Sequence, residues 1–82
     1  MPLFFFHIHN GFGTTPDEEG RELADEAMAR DEAVKGARSL MSAEVEEGCL
    51  DLGGRIEVTD ADNRPVAMVH FREVLIIKDG SA

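Results

Sequence analysis

Three histidines are the residues whose type and spacing most resemble a metal-binding site. His7 and His9 are two positions apart in the segment PLFFFHIH, residues 2–9. Alternate side chains of a strand share a face, so a strand here would present both imidazoles to one metal ion, with His70 as a third ligand from across the sheet. The alternative is that His7 is a hydrogen-bonded sheet or interface histidine and His9 an exposed strand end. Because zinc sites usually need a further ligand that the sequence does not place, we favour this alternative and predict no cofactor.

The acidic run Asp17-Glu18-Glu19 is a second candidate site. Adjacent carboxylates can hold a divalent cation, or one of them can have a raised pKa. Consecutive acidic residues in a loop are more often simply solvated. We therefore interpret this run as a charged surface that can recognise a partner.

Pro2 could act as a catalytic base once Met1 is removed. A secondary amine in an apolar, arginine-lined pocket can lose its proton near neutral pH, and small tautomerases of similar length use such an amine. Arg38, Arg55 or Arg72 would then bind a carboxylate substrate. The long acidic loop does not look like that of the tautomerases, so the sequence favours a non-enzymatic protein.

The composition indicates a folded acidic domain that binds neither nucleic acid nor membranes. The chain has 82 residues, a net charge of −9 and 43% apolar residues, which fits one domain over residues 1–82. Its 8 basic residues are scattered among 17 acidic ones, whereas phosphate binding needs clustered Lys and Arg. No apolar run approaches the ~20 residues of a membrane helix, and the N-terminus lacks the features of a secretory signal. We therefore expect a cytoplasmic protein.

Alternating side chains in residues 2–9 predict the first strand. One face would carry Phe4, Phe6 and Ile8, and the other Leu3, Phe5, His7 and His9. The stretches RIEVTD and PVAMVHF, residues 55–60 and 65–71, predict a hairpin because turn-forming residues join them. The remaining segments are a short second strand at 14–16, a loop at 17–22, and a short strand or helical turn at 72–77.

A helix is predicted between the first strand and the hairpin, because apolar residues recur there at three- and four-residue spacing. Asp25 is suited to be its N-cap, and the helix would run to about Glu47. Gly48 is the natural residue for the C-terminal cap. Gly36, in the middle of the helix, predicts a close approach to a neighbouring backbone.

These elements predict an α+β fold, a small antiparallel or mixed sheet of three to four strands with one long helix packed on one face. The order is strand, loop or short strand, helix, strand, strand, and a final short strand or turn. A domain of this size buries only ~60–65% of its unfolded surface, so a partner that covers the second sheet face would add stability. We predict a homodimer or a complex with another protein. The predicted contact residues are Phe5, His7, His9, Asp17, Glu18 and Glu19.

Four features follow one another along the chain: the start FFFHIHNG, the loop PDEEGREL, the helix DEAVKGAR and the hairpin LGGRIEVTDADNRPV. In this combination they resemble a family of short bacterial proteins classed as a domain of unknown function. The resemblance implies a free-standing cytosolic protein, and it carries no activity, cofactor or catalytic residue. We therefore predict a non-enzymatic interaction or regulatory module. Metal binding through His7 and His9, and tautomerase-like catalysis by Pro2, are the alternatives.

Overall fold

The computed structural model describes residues 1–11 and 13–80, and it has the predicted α+β fold. Its strands are β1 (Leu3–Asn10), β2 (Gly13–Thr15), β3 (Arg21–Glu22), β4 (Arg55–Thr59) and β5 (Pro65–His70). A single helix within the described residues, α1 (Glu26–Glu46), precedes β4, and one 3₁₀ turn, Phe71–Glu73, follows β5. The helix packs on an open antiparallel sheet of five strands, where three to four were predicted.

The sheet order is β2-β1-β4-β5, and β3 also pairs with β1. Both short strands lie along the same edge of β1, because β3 pairs with Leu3 and Phe4 while β2 pairs with the far end, Ile8 to Asn10. The strand β3 was predicted to be part of a loop. Two charged residues carry no strand pattern of their own, and β3 exists only because the chain passes beside β1 on its way to α1.

Both predicted caps of α1 are confirmed. The Asp25 side chain accepts a hydrogen bond from the backbone N–H of Met28 at 2.9 Å, which satisfies one of the unpaired donors of the first turn. At the other end Gly48 has φ +84°, and its N–H binds the carbonyl of Val45 at 2.9 Å. The next N–H, of Cys49, binds the carbonyl of Glu44, which completes a Schellman motif.

The explanation predicted for Gly36 is wrong. A Cβ built at this glycine would meet Cδ1 of Ile56 at 3.6 Å, which is an ordinary van der Waals contact with a side chain. No backbone approaches the position closely enough to require glycine. The close approach occurs instead at Gly54, where a Cβ would lie 2.5 Å from Cε2 of Phe71.

The core lies between α1 and the sheet. Alanines and one methionine line the buried stripe of α1, and small side chains let the helix axis come close to the strands. The buried residues of the core are Phe4, Ala29, Ala33, Ala37, Met41, Ile56, Val58, Val69, Phe71 and Val74. Because α1 packs mainly against β4 and β5, the side of β1 that faces the helix is only half covered.

The apolar run after the hairpin begins as a helical turn, which was one of the two predicted forms. Phe71 is buried and closes the core, and its N–H binds the carbonyl of Gly54 at 2.9 Å. Residues 74–80 then continue without regular secondary structure. No helix within residues 1–11 and 13–80 combines the length and apolar character that crossing a membrane requires.

Candidate functional site

The face of the sheet that points away from α1 is the candidate site, and we call it the open face. Strand alternation in β1 directs Phe4, buried in the core, toward the helix, and the intervening side chains point the opposite way. The register across β4 and β5 extends this face over three strands. It is formed by Leu3, Phe5, His7, His9, Arg55, Glu57, Thr59, Met68 and His70. Within the described part of the chain, no helix or second sheet packs against it.

His7 is held by hydrogen bonds at both ring nitrogens. The backbone N–H of Asp17 is donated to Nδ1 at 3.1 Å, and Nε2 lies 3.0 Å from the hydroxyl of Thr59. Because Nδ1 must accept from a backbone N–H, the ring proton resides on Nε2, which donates to Thr59. The Phe5 ring stacks beside the imidazole, with centroids 6.4 Å apart and planes inclined by 8°. This agrees with the favoured prediction of a hydrogen-bonded sheet histidine.

The grouping of Thr59, His7 and Asp17 has the residue types of a catalytic triad but not its proton arrangement. In a triad, Nε2 accepts the proton of the hydroxyl and Nδ1 donates to a carboxylate. Here Nδ1 accepts from the Asp17 backbone and Nε2 donates, so His7 cannot take the proton of Thr59. Thr59 is also only 4% exposed. The grouping therefore ties the acidic loop to the sheet.

The Asp17 carboxylate fills the gap between β2 and β3 along the edge of β1. Oδ2 accepts the N–H of Phe6 at 3.0 Å, and Oδ1 accepts the N–H groups of Glu19 and Gly20, both at 3.2 Å. Burial raises the pKa of this carboxyl and is the largest single influence. The three backbone hydrogen bonds and the nearby His7 each lower the pKa, and their combined effect is larger than that of burial. The pKa of Asp17 therefore falls below its ordinary value of 3.8.

The other residues of the acidic loop are turned to solvent. Glu18 and Glu19 are exposed, and Gly20 packs against β1 with φ +73°. A Cβ at Gly20 would lie 3.0 Å from the Phe4 carbonyl oxygen. The loop can therefore follow the strand closely only because this position is glycine, and it carries two exposed carboxylates along the edge of β1.

His9 lies further along β1, at the end of the open face. Its Nδ1 is 2.9 Å from the hydroxyl of Thr14, and its Nε2 is 3.5 Å from Oε1 of Glu57. Nε2 is buried and has no well-formed hydrogen bond, so Glu57 is its nearest acidic neighbour without being a full partner. His9 is thus part of a polar cluster within the sheet.

The structure does not gather the three histidines into one metal site. His9 on β1 and His70 on β5 both pair with Arg55 on β4. The residue between the two histidines is therefore positively charged. Both nitrogens of His7 are already hydrogen-bonded. Over residues 1–11 and 13–80, no three His, Cys, Asp or Glu side chains are placed to hold a metal ion.

Pro2 lies at the exposed N-terminus, beside β3. Its carbonyl accepts the N–H of Leu23 at 3.1 Å. Arg55 pairs with His9, at the opposite end of β1 from Pro2. Arg38 donates to the carbonyl of Val74, and Arg72 donates to the carbonyl of Leu52, so neither hydrogen bond holds an arginine beside Pro2.

A groove between β1 and α1 was not predicted from the sequence. It has a volume of about 490 Å³, with Phe6 and Ile8 on its floor. Arg21 crosses its rim, with Nη1 2.6 Å from Oε2 of Glu32 and the guanidinium 5.9 Å from the centroid of the Phe6 ring. The groove exists because α1 lies over β4 and β5. The offset of a helix on a sheet is a tertiary property that strand and helix patterns do not encode.

A comparison with protein families matches residues 3–72 to the model of a domain of unknown function, DUF6894. The chain belongs to this family. The match includes the strand β1, the acidic loop, α1 and both strands of the hairpin, so it spans the whole open face. The predicted resemblance to a domain of unknown function is therefore confirmed at the level of the family. The comparisons with curated proteins and with solved structures found no match.

Proposed function

We propose that the chain is a non-enzymatic interaction module that binds a separate, basic protein through the open face. The observation that carries this proposal is the uncovered sheet face itself. An antiparallel sheet commonly leaves a polar face in solvent, but here Phe5 and Met68 lie on the face against which no described helix or second sheet packs. Met68, on the outermost strand β5, is 36% exposed.

The chemistry of the open face favours a separable partner over a permanent dimer. Obligate interfaces resemble a divided hydrophobic core, whereas exchangeable interfaces combine a few apolar anchors with charged groups. On the open face the charged Arg55 and Glu57 lie on β4, between the side chains of β1 and Met68 of β5. The composition of the open face is thus typical of an interface with a partner that associates reversibly.

The charge of the chain favours a basic partner. The net charge is −9, and Glu18 and Glu19 are exposed on the acidic loop that runs along the edge of β1. Complementary charge accelerates association and selects among partners more than it adds affinity. Glu18 and Glu19 would therefore steer the partner, while Phe5 and Met68 would anchor it.

Site-specific photo-crosslinking in the cells that make this protein tests the proposal. A photoreactive residue at Met68 should crosslink to one discrete basic protein, while the same group at Ala27, exposed on α1, should not. The crosslinked protein is then purified and titrated. Met68→Lys, whose ammonium would face Glu57 and leave the fold intact, should weaken binding at least about tenfold, and Asp31→Lys on α1 should not. Equal crosslinking from both positions, or unchanged affinity of Met68→Lys, would refute the proposal.

A further inference from the structure

The segment after the 3₁₀ turn exposes two consecutive isoleucines. Ile76 is 85% exposed and Ile77 62% exposed, in a stretch without regular secondary structure. Single exposed apolar side chains are common on soluble proteins, whereas two large ones side by side expose a continuous apolar area. Lys78 follows them directly. We refer to residues 75–78 as the tail.

An apolar pocket lies on the C-terminal half of α1, and we call it the α1 pocket. Its volume is about 360 Å³. Aliphatic side chains make up most of its surface, and Val45 and Leu50 are themselves exposed. The pocket is lined by Arg38, Met41, Ser42, Val45, Glu46, Leu50 and Leu75. It is on the opposite side of the molecule's core from the open face and separate from the groove beside β1.

The tail does not fill the pocket of its own chain. Leu75 forms part of the pocket wall, while Ile76 and Ile77 remain in solvent. Because pocket and tail share Leu75, a two-fold axis beside this residue would bring the tail of each copy to the pocket of the other. A surface of this kind is self-complementary, as the interface of a two-fold dimer must be.

Lys78 of the tail and the acidic C-terminal end of α1, at the rim of the α1 pocket, carry opposite charges. The last turn of α1 contains no basic residue, and Glu44, Glu46 and Glu47 lie at the helix end that carries the partial negative charge of the helix dipole. A cation there would stabilise the helix end. Lys78 follows the isoleucines directly. When the tail belongs to a second copy, its ammonium group supplies this cation to the C-terminal end of α1.

We propose that the occupant of the α1 pocket is the tail of a second copy of this chain, in a reciprocal dimer. Ile76, the more exposed isoleucine, enters the partner copy's pocket, and Lys78 pairs with Glu46 at its rim. The interface leaves the open face accessible. The dimer thus displays two open faces, and its formation is independent of the function proposed for them.

Analytical ultracentrifugation over a range of concentrations tests the apolar contact. The wild-type chain should form a dimer, and Ile76→Asp should raise the dimer dissociation constant at least about tenfold. Ile76 is so exposed that this change leaves the fold intact, which circular dichroism checks. Met68→Lys on the open face is the matched control and should leave the dimer unchanged.

A charge exchange tests the orientation of the tail. Lys78→Glu and Glu46→Lys should each weaken self-association, because each places like charges at both contacts of its own dimer. An equimolar mixture of the two variants should restore dimerisation, since both contacts of the mixed dimer then join opposite charges. No dimer formed through another surface would respond in this way.

Three outcomes would overturn the proposal. They are a wild-type chain that stays monomeric at all concentrations, a dimer indifferent to Ile76→Asp, and a mixture of the charge variants no tighter than either alone. A monomer that retains a different protein through Ile76 in native mass spectrometry would assign the α1 pocket to that protein instead.

Discussion

The backbone N–H of Asp17 points at Nδ1 of His7, 3.1 Å away, and this one hydrogen bond determines the role of the imidazole. It forces the proton onto Nε2 and so makes His7 a donor to Thr59. A histidine that resembled a metal ligand in the sequence instead connects the acidic loop to β4.

Removing the Thr59 hydroxyl, which accepts the Nε2–H of His7, should destabilise the fold. Thr59→Val keeps the side-chain shape but leaves the Nε2–H of His7 without a partner, at a cost of about 1–3 kcal/mol in unfolding free energy. Urea denaturation measures it. Thr14→Val removes the exposed hydroxyl beside His9 and should change stability by less than about 0.5 kcal/mol. Equal effects of the two variants would contradict the buried role of Thr59.

Asp17 should make stability depend on pH in acid. Its carboxyl has a lowered pKa in the folded chain, so its contribution is fully present above the ordinary value of 3.8 and is lost as pH falls through the folded value. Asp17→Asn should destabilise the protein by about 1–2 kcal/mol at neutral pH, because it weakens the bonds to the β1 edge. It should also flatten the decline in stability below about pH 4.

Urea denaturation at several pH values measures both effects of Asp17→Asn. Glu18→Gln is the control, because Glu18 is the exposed neighbour and accepts none of these backbone hydrogen bonds. If Asn at position 17 left the acid decline as steep as in the wild type, another carboxyl would be responsible.

Two glycines should respond to alanine with opposite signs. At Gly36 there is space for a methyl group, and the gain in helix propensity should stabilise the protein by up to about 1 kcal/mol. At Gly54 the methyl group would collide with the Phe71 ring, and the change should destabilise by about 1–3 kcal/mol. Thermal unfolding measures both. If the Gly36→Ala variant were less stable than the wild type, α1 would have to pack more closely on Ile56 than the 3.6 Å contact indicates.

Zinc should leave the melting temperature of the chain unchanged. His7 uses both nitrogens within the fold, and Arg55 lies between His9 and His70. Thermal unfolding with and without Zn²⁺ measures this. A rise that His9→Ala abolishes and Cys49→Ser does not would establish the metal site, because binding to the folded state alone raises the melting temperature.

Local patterns were sufficient to predict much of the architecture. The two faces of β1 follow from its two-residue alternation, and the ends of α1 follow from Asp25 and Gly48, whose side chain and backbone conformation act within a few residues. The hairpin likewise depends on the turn between its strands, where Asp60 Oδ1 accepts the N–H of Asp62 and Arg64 at 2.9 Å.

The features that the sequence did not predict depend on distant neighbours. The strand β3 forms because β1 offers it an edge, and Gly36 has no partner backbone because α1 lies over Ile56. For the candidate site, placing Phe5, His7 and His9 on one face needed only alternation. The role of Asp17 could not be predicted, because its carboxylate binds Phe6 across a loop whose path the sequence does not specify.

The carboxylate of Asp17 also covers the edge of an aggregation-prone segment. The run LFFFHI in β1 is apolar, rich in β-formers and uncharged, the composition from which amyloid fibrils are built. Along its outer edge, β3 pairs with Leu3 and Phe4, Asp17 binds the N–H of Phe6, and β2 pairs with the far end, which leaves little of this edge open to another chain. We expect acid, which protonates this side chain, to weaken the cover at the middle of the edge and so to favour pairing of β1 with further copies of the chain.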